Sequence, residues 1–170
     1  MTDTELLEGK KILIVDDEPD VLEVLEELLY MCEIHRAENF EDAKGLLESR
    51  TLDAAILDIM GVNGYGLLKI AKKKNIPALM LTAHAFTPDN LKKSIQEGAY
   101  SYIPKEELAQ IAEYLTNVLK AAKEGSNPWR AWQEKLPLTY FEKRWGSAWK
   151  DADKDFWDTF RASLKSRKKE

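Results

Sequence analysis

The sequence predicts an α/β fold: a five-stranded parallel sheet with helices on both faces, followed by a small helical C-terminal extension. Three observations predict it. Short apolar runs alternate with helix-period segments five times within residues 1–125. The connections are short, which implies parallel strands joined by crossover helices. After Gly125-Ser126-Asn127-Pro128 the alternation stops, and all five tryptophans lie beyond that break. The expected division is residues 1–125 and residues 126–170.

Each element has its own signal. Ile12-Leu13-Ile14-Val15 is short and continuously apolar, as a strand buried on both faces requires. Val21, Val24, Leu25, Leu28 and Leu29 then recur at helical spacing. Glu33–Ala37 is a weaker, partly polar strand suited to a sheet edge, with His35 in an exposed structural position. Asn39 can cap the next helix, which carries Phe40, Ala43, Leu46 and Leu47 on one face. Residues 53–58 form the third strand. Gly61, Gly64 and Gly66 mark the loop into a helix through Leu67, Leu68 and Ala71, and its Lys72-Lys73-Lys74 end suits a negative helix pole. Ala78–Thr82 is the fourth strand. Thr87-Pro88 reads as a cap and first-turn proline opening a thinly apolar helix through Leu91 and Ile95. Ser101–Pro104 is the fifth strand, at an edge because proline cannot donate to an interior ladder. The last helix has a stripe of Leu108, Ile111, Leu115, Val118 and Leu119.

The bulk composition narrows the class. A chain of 170 residues, 44% hydrophobic and 32% charged, reads as one ordinary globular domain plus an appendage. No apolar run approaches bilayer length, and the acidic Met-Thr-Asp-Thr-Glu start lacks a signal-peptide core. A cytoplasmic location with no membrane partner is expected. The single cysteine, Cys32, rules out an internal disulfide framework and reads as a small buried side chain. The net charge of −5 conceals an asymmetry: residues 1–125 hold 14 basic and 23 acidic side chains, residues 126–170 hold 11 and 7. The basic excess lies mostly in 161–169 and reads as a solvated terminus.

Four predicted strands run into residues suited to a phosphoryl group: Asp16-Asp17, Asp58, Thr82 and Lys105. In a parallel sheet these ends share one edge, the edge where ligands bind in open α/β sheets. Adjacent acids at a strand end do not serve packing, because unpaired buried carboxylates are expensive. Hard Mg²⁺ resolves this, since it prefers carboxylate oxygens. Helix capping is the alternative reading of the Asp16-Asp17 pair. Asp58 is a candidate nucleophile, because a carboxylate can form an aspartyl phosphate. A metal and Lys105 would neutralise charge on the transferring group, and the Thr82 hydroxyl could donate to it.

These residues resemble the receiver domain of bacterial two-component response regulators over about residues 9–123. Lys11 to Pro19 is similar to that family's opening strand and acid pair, and Ala54-Ala-Ile-Leu-Asp58 to its phosphoacceptor strand. Leu81-Thr82-Ala83 resembles the switch hydroxyl with its small neighbour. Tyr102-Ile-Pro-Lys105 resembles the switch aromatic three residues before the lysine. The resemblance implies a flavodoxin-like sheet in the order 2-1-3-4-5. It implies Asp58 as phosphoacceptor, served by a cognate histidine kinase or phosphotransfer protein. It implies Mg²⁺ held by Asp16, Asp17, Asp58 and the backbone carbonyl of Met60, with phosphate binding at Thr82, Ala83 and Lys105. Thr82 would move toward the phosphate and Tyr102 would rotate inward. Such a chain catalyses only its own phosphorylation and dephosphorylation. Positions two beyond Asp58 and Thr82, here Met60 and His84, tune phosphoryl lifetime in this family. Apolar Met60 cannot orient an attacking water, so slow hydrolysis is expected.

Two departures from the family pattern stand out. The family usually reads Asp-x-x-Met-Pro-x-x-Asp-Gly after the phosphoacceptor. The loop Asp58-Ile-Met60-Gly61-Val-Asn-Gly64 is two residues shorter. Proline precedes Lys105 instead of following it, and Glu106, in the following place, could compete for the lysine.

The extension collects Trp129, Trp132, Trp145, Trp149 and Trp157 with Tyr140, Phe141, Phe156 and Phe160. Spacing suggests three short helices: one capped by Asn127, one with Thr139-x-x-Glu142 as a capping box and ended by Gly146, and one capped by Asp153. Forty-five residues rarely fold alone. The segment should dock on its own receiver, on a second copy in a homodimer, or on a separate protein. The leading reading is a phosphorylation switch controlling protein association. The alternative is a transcription regulator binding DNA through the extension, but DNA is not an expected partner because no recognition helix stands out. A small-molecule phosphohydrolase would want an Asp where Met60 stands.

Overall fold

The computed structural model describes residues 2–83 and 86–165. Its five strands are β1 (Lys11–Val15), β2 (Glu33–Ala37), β3 (Ala54–Asp58), β4 (Ala78–Thr82) and β5 (Ser101–Pro104). All pair in parallel, in the order β2-β1-β3-β4-β5. The weak, partly exposed β2 and the proline-ended β5 occupy the two edges. Every residue of β3 and β4 is buried, as their continuous apolar character requires. Val15 stands opposite Leu57, Asp58 opposite Leu81 and Thr82 opposite Pro104, so the strands end nearly in step.

Helices α2 (Pro19–Leu28), α3 (Phe40–Ser49), α4 (Gly64–Lys73), α5 (Pro88–Gln96) and α6 (Ile111–Glu124) cover the sheet. Asn39 and Thr87 cap α3 and α5 as their spacing predicts, accepting from the backbone N–H groups of Asp42 and Asn90. A short α1 (Asp3–Leu7) precedes β1 and is absent from the sequence reading. Its signal is nonetheless local: Thr2 and Glu5 form a capping box, and Leu7 is fully buried. Cys32 is half-buried instead of buried, and burial pushes its thiol up to about 11. His35 is also partly buried, beside Glu33.

The extension forms α7 (Pro128–Lys135), α8 (Leu138–Trp145) and α9 (Lys154–Lys165), packed on the chain's own sheet domain. Asn127 caps α7 and Gly146, at φ 87°, ends α8, both as expected. One expected cap is corrected. Pro137, not Thr139, is the N-cap of α8, because Leu138 already enters the helix and the Tyr140 N–H donates to the Pro137 carbonyl. Asp153 directly precedes α9, and one oxygen of its carboxylate pairs with Lys92 of α5. The rest of the basic run, beyond residue 165, lies outside the described residues. No helix among the described residues is long and apolar enough to cross a membrane.

Candidate functional site

Parallel pairing carries the strand ends to one edge, and there their side chains meet. One carboxylate oxygen from each of Asp16, Asp17 and Asp58 lies within 4.8 Å of the others. The Lys105 ammonium sits 2.9 Å from Asp16 Oδ2, 3.4 Å from Asp58 Oδ1 and 2.8 Å from Glu18 Oε1. Asp16 is fully buried, Asp58 is 4% exposed, and Asp17 faces solvent. The helix-capping reading of the acid pair fails. Glu18 is the N-cap of α2, with no side-chain cap bond and Pro19 in the first turn. Asp16 Oδ1 instead accepts from the Glu18 N–H at 2.9 Å, which closes the turn and fixes the carboxylate.

The electrostatics are unbalanced. Burial, then the charge of Asp16, pushes the Asp58 carboxyl up to about 7 against the pull of Lys105. Burial also raises Asp16, opposed by the Glu18 N–H and by Lys105. Burial pulls Lys105 down, but its bonds to Glu18 and Asp16 outweigh this and hold the ammonium charged. Asp16 Oδ2 has no hydrogen-bond partner among the described residues beyond its ion-pair contact with Lys105. Three convergent carboxylates, two of them buried, carry more negative charge than the Lys105 ammonium balances, and that donor set fits a hard divalent cation. Such an ion would displace a proton from Asp58. Mg²⁺ affinity should therefore fall about tenfold per pH unit below neutrality, as calorimetric titration at pH 6 and pH 8 would measure.

The shortened loop is held by its own side chains. Ile59 and Val62 are buried, while Met60 is 55% exposed. Met60 lines a shallow cavity of about 130 Å³ with Asp17, Glu18, Asp58, Gly61 and Lys105. Gly61, at φ +86°, presses on the acid pair: a Cβ there would lie 2.6 Å from Asp17 Oδ2. At Gly64 a Cβ would lie 2.2 Å from the Asp58 carbonyl oxygen. Helix α4 therefore starts directly on the backbone of the central carboxylate. Gly64→Ala should destabilise the fold by about 3 kcal/mol in urea unfolding, because the obstacle is backbone and cannot rotate away.

Thr82 is buried at the end of β4. It lines a second cavity of about 480 Å³ with Ala83, Phe86, Pro104, Lys105, Glu106, Arg144 and Trp145. Tyr102 is already turned inward. It is fully buried, its hydroxyl accepts from the Thr87 N–H at 3.1 Å, and its ring stacks on Phe86 with centroids 5.9 Å apart. Glu106 does not compete for Lys105; its carboxylate pairs with Tyr140 and Arg144 of α8. Sequence reasoning brought Asp16, Asp17, Asp58 and Lys105 together correctly. It missed Glu18 as a lysine partner, although Glu18 directly follows the acid pair. It also missed Arg144 and Trp145, for which no local signal exists. His84 lies outside the described residues.

A parallel sheet in this order, with three carboxylates and a lysine at its C-terminal edge, defines a doubly wound α/β domain with an acidic pocket at its ligand-binding edge. Residues 12–127 match the response regulator receiver domain, and the chain belongs to that family. It is 35% identical over 130 residues to a probable transcriptional regulator, ycf27, of Guillardia theta, a match that covers 71% of this chain and 51% of the relative. It is 36% identical over 103 residues to the two-component response regulator ARR18 of Arabidopsis thaliana, covering 57% of this chain and 16% of the relative. The chain thus spans about half or less of these curated relatives. A candidate response regulator from Chloroflexus aurantiacus, solved by crystallography, superposes with a TM-score of 0.59 at 32% identity. That match covers 66% of this chain and 99% of the other.

Proposed function

We propose that this receiver domain accepts a phosphoryl group on Asp58 from a histidine kinase or phosphotransfer protein and uses it to control protein association. The observation that carries this reading is the convergence of Asp16, Asp17 and Asp58 within 4.8 Å beside the Lys105 ammonium. An Asp58 oxygen would form its bond to phosphorus as the donor's P–N bond breaks, the electron pair leaving on the imidazole nitrogen. Asp16, Asp17, Asp58 and the Met60 carbonyl would hold Mg²⁺, which would supply charge neutralisation. Lys105 and Thr82, with the Ala83 backbone, orient the phosphoryl oxygens. Thr82 is the switch residue expected to move toward the phosphoryl group; Tyr102, for which an inward rotation was expected, is already buried in this state. The chain acts on itself and turns over no separate substrate.

Incubation with acetyl phosphate and Mg²⁺, followed by intact-mass measurement, tests the reading. The expected result is one added phosphoryl group on the parent and none on Asp58→Asn. Met60, exposed and apolar at the cavity mouth, offers no group to orient water. The acyl phosphate should persist for minutes or longer, and loss within seconds would contradict this role for Met60. The ycf27 relative's name favours a second reading, transcription regulation through DNA. Against it, most aromatic residues of the extension are buried in a core continuous with the receiver's. A salt-sensitive mobility shift of duplex DNA would favour that alternative.

A further inference from the structure

We propose that α8 builds a carboxylate subsite beside the phosphoacceptor, in which Arg144 receives the leaving carboxylate of a small acyl phosphate donor; this rests on Asp58 being the phosphoacceptor. Two cavities meet at Lys105. The smaller, about 130 Å³, has Asp17 and Asp58 in its wall. The larger, about 480 Å³, is walled by Thr82, Ala83, Lys105 and Glu106 of the receiver and by Arg144 and Trp145 of α8. A donor's phosphoryl group belongs in the first, against Asp58 and Lys105. The atoms attached to that phosphoryl need room beyond it, and the second cavity supplies the room. Its volume is in the range of small-molecule sites.

The cation in that second cavity is held in place by aromatic rings. The Arg144 guanidinium carbon lies 5.5 Å from the ring centroids of both Phe86 and Tyr140. The next residue, Trp145, is fixed by its indole N–H, which donates to the Phe86 carbonyl at 3.1 Å. A guanidinium held this way presents a planar fork that matches a carboxylate in two parallel hydrogen bonds. At present the fork pairs with Glu106. That pair is replaceable, because its side chains are 39% and 46% exposed and exposed ion pairs hold weakly. Glu106 keeps its bond from the Tyr140 hydroxyl when an incoming carboxylate takes its place on Arg144. Lys105 does not serve this role, since it is committed to Asp16 and Glu18 at 2.9 and 2.8 Å.

The chemistry gives Arg144 a defined effect. An Asp58 oxygen forms its bond to phosphorus as the P–O bond to the acyl group breaks. The electron pair leaves on the acyl oxygen, which becomes part of a free carboxylate. Negative charge grows on that oxygen through the transition state. Hydrogen bonds from the guanidinium therefore strengthen as the bond breaks, and the transfer is accelerated. A donor that releases neutral ammonia presents no carboxylate to Arg144.

The test compares initial rates of phosphorylation of the full chain, with Mg²⁺, by acetyl phosphate and by phosphoramidate, whose leaving group is ammonia. Intact mass follows both reactions. Arg144→Gln should lower the ratio of the acetyl phosphate rate to the phosphoramidate rate by about tenfold, the effect of losing one charge-assisted hydrogen bond. Glu106→Gln holds the guanidinium less tightly and should raise the same ratio by about threefold. A proportional fall of both rates in Arg144→Gln, or a higher ratio, overturns the subsite. Should Arg144→Gln fail to fold, Glu106→Gln decides, and a ratio that stays level or falls overturns it. A parent chain phosphorylated by phosphoramidate alone overturns the subsite and leaves Asp58 as phosphoacceptor. A parent chain phosphorylated by neither donor overturns that reading, and the subsite with it.

Discussion

Asp58→Asn should leave the chain unable to take up phosphate and, without divalent ions, more stable than the parent above neutral pH. The first effect follows from removing the nucleophilic oxygen. The second follows from the pocket. The folded protein holds the Asp58 carboxyl at about 7, against an ordinary value of 3.8, through burial and the neighbouring charge of Asp16. Between those values the folded state binds more protons than the unfolded chain. This contribution to stability therefore falls as pH rises through that window, and the penalty is complete above about 7. At about 1.4 kcal/mol per unit of displacement, an uncharged Asn of the same shape should recover about 2–4 kcal/mol at pH 8. Urea unfolding in EDTA at pH 5 and pH 8 measures it. The parent should lose stability across the interval and the variant should lose less. Added Mg²⁺ should stabilise the parent and have little effect on the Asp58→Asn variant. Equal pH dependence in both proteins would place the ionised carboxylate in a comfortable environment and contradict the geometry.

Trp132→Ala should be the most destabilising substitution in the extension, at about 3–5 kcal/mol. Trp132 is 2% exposed. Its ring stacks on Phe141 with centroids 5.6 Å apart and meets Trp129 edge-on at 4.9 Å. Its indole N–H also bonds the β5 backbone, so truncation opens a large void and strips a buried carbonyl of its donor. Trp132→Phe should cost about 1–2 kcal/mol, because only the donor and part of the bulk are lost. Chemical denaturation followed by far-ultraviolet circular dichroism separates the two. A cost below about 1 kcal/mol for the Ala variant would mean that α7 is not held on the receiver.

The receiver was legible because its signals are local. Ile12 to Val15 and Ala54 to Leu57 are apolar without interruption, and such runs mark doubly covered strands wherever they occur. Asp16, Asp17, Asp58 and Lys105 each stand at the end of such a run, so predicting the strands also predicted the meeting. The loop after Asp58 was legible only as a deletion. That Gly61 lies on Asp17 and Gly64 on the Asp58 carbonyl depends on backbone approach, which composition does not encode. Glu106 was read as a rival for Lys105 because the two are adjacent, yet adjacent side chains need not face each other. Glu106 turns to Tyr140 and Arg144, more than thirty positions away.

The amino-acid order by itself determined the sheet, its parallel sense and the acidic edge, because strand period, helix period and strand-end chemistry are properties of short segments. It also determined that the aromatic segment must bury its rings against something. Only the tertiary structure decided what that is. The indole of Trp145 reaches the Phe86 carbonyl across 59 positions, and that of Trp132 reaches Tyr102 across 30. Such partners are selected by shape and hydrogen-bond direction once the sheet exists, and no periodicity in the chain specifies them.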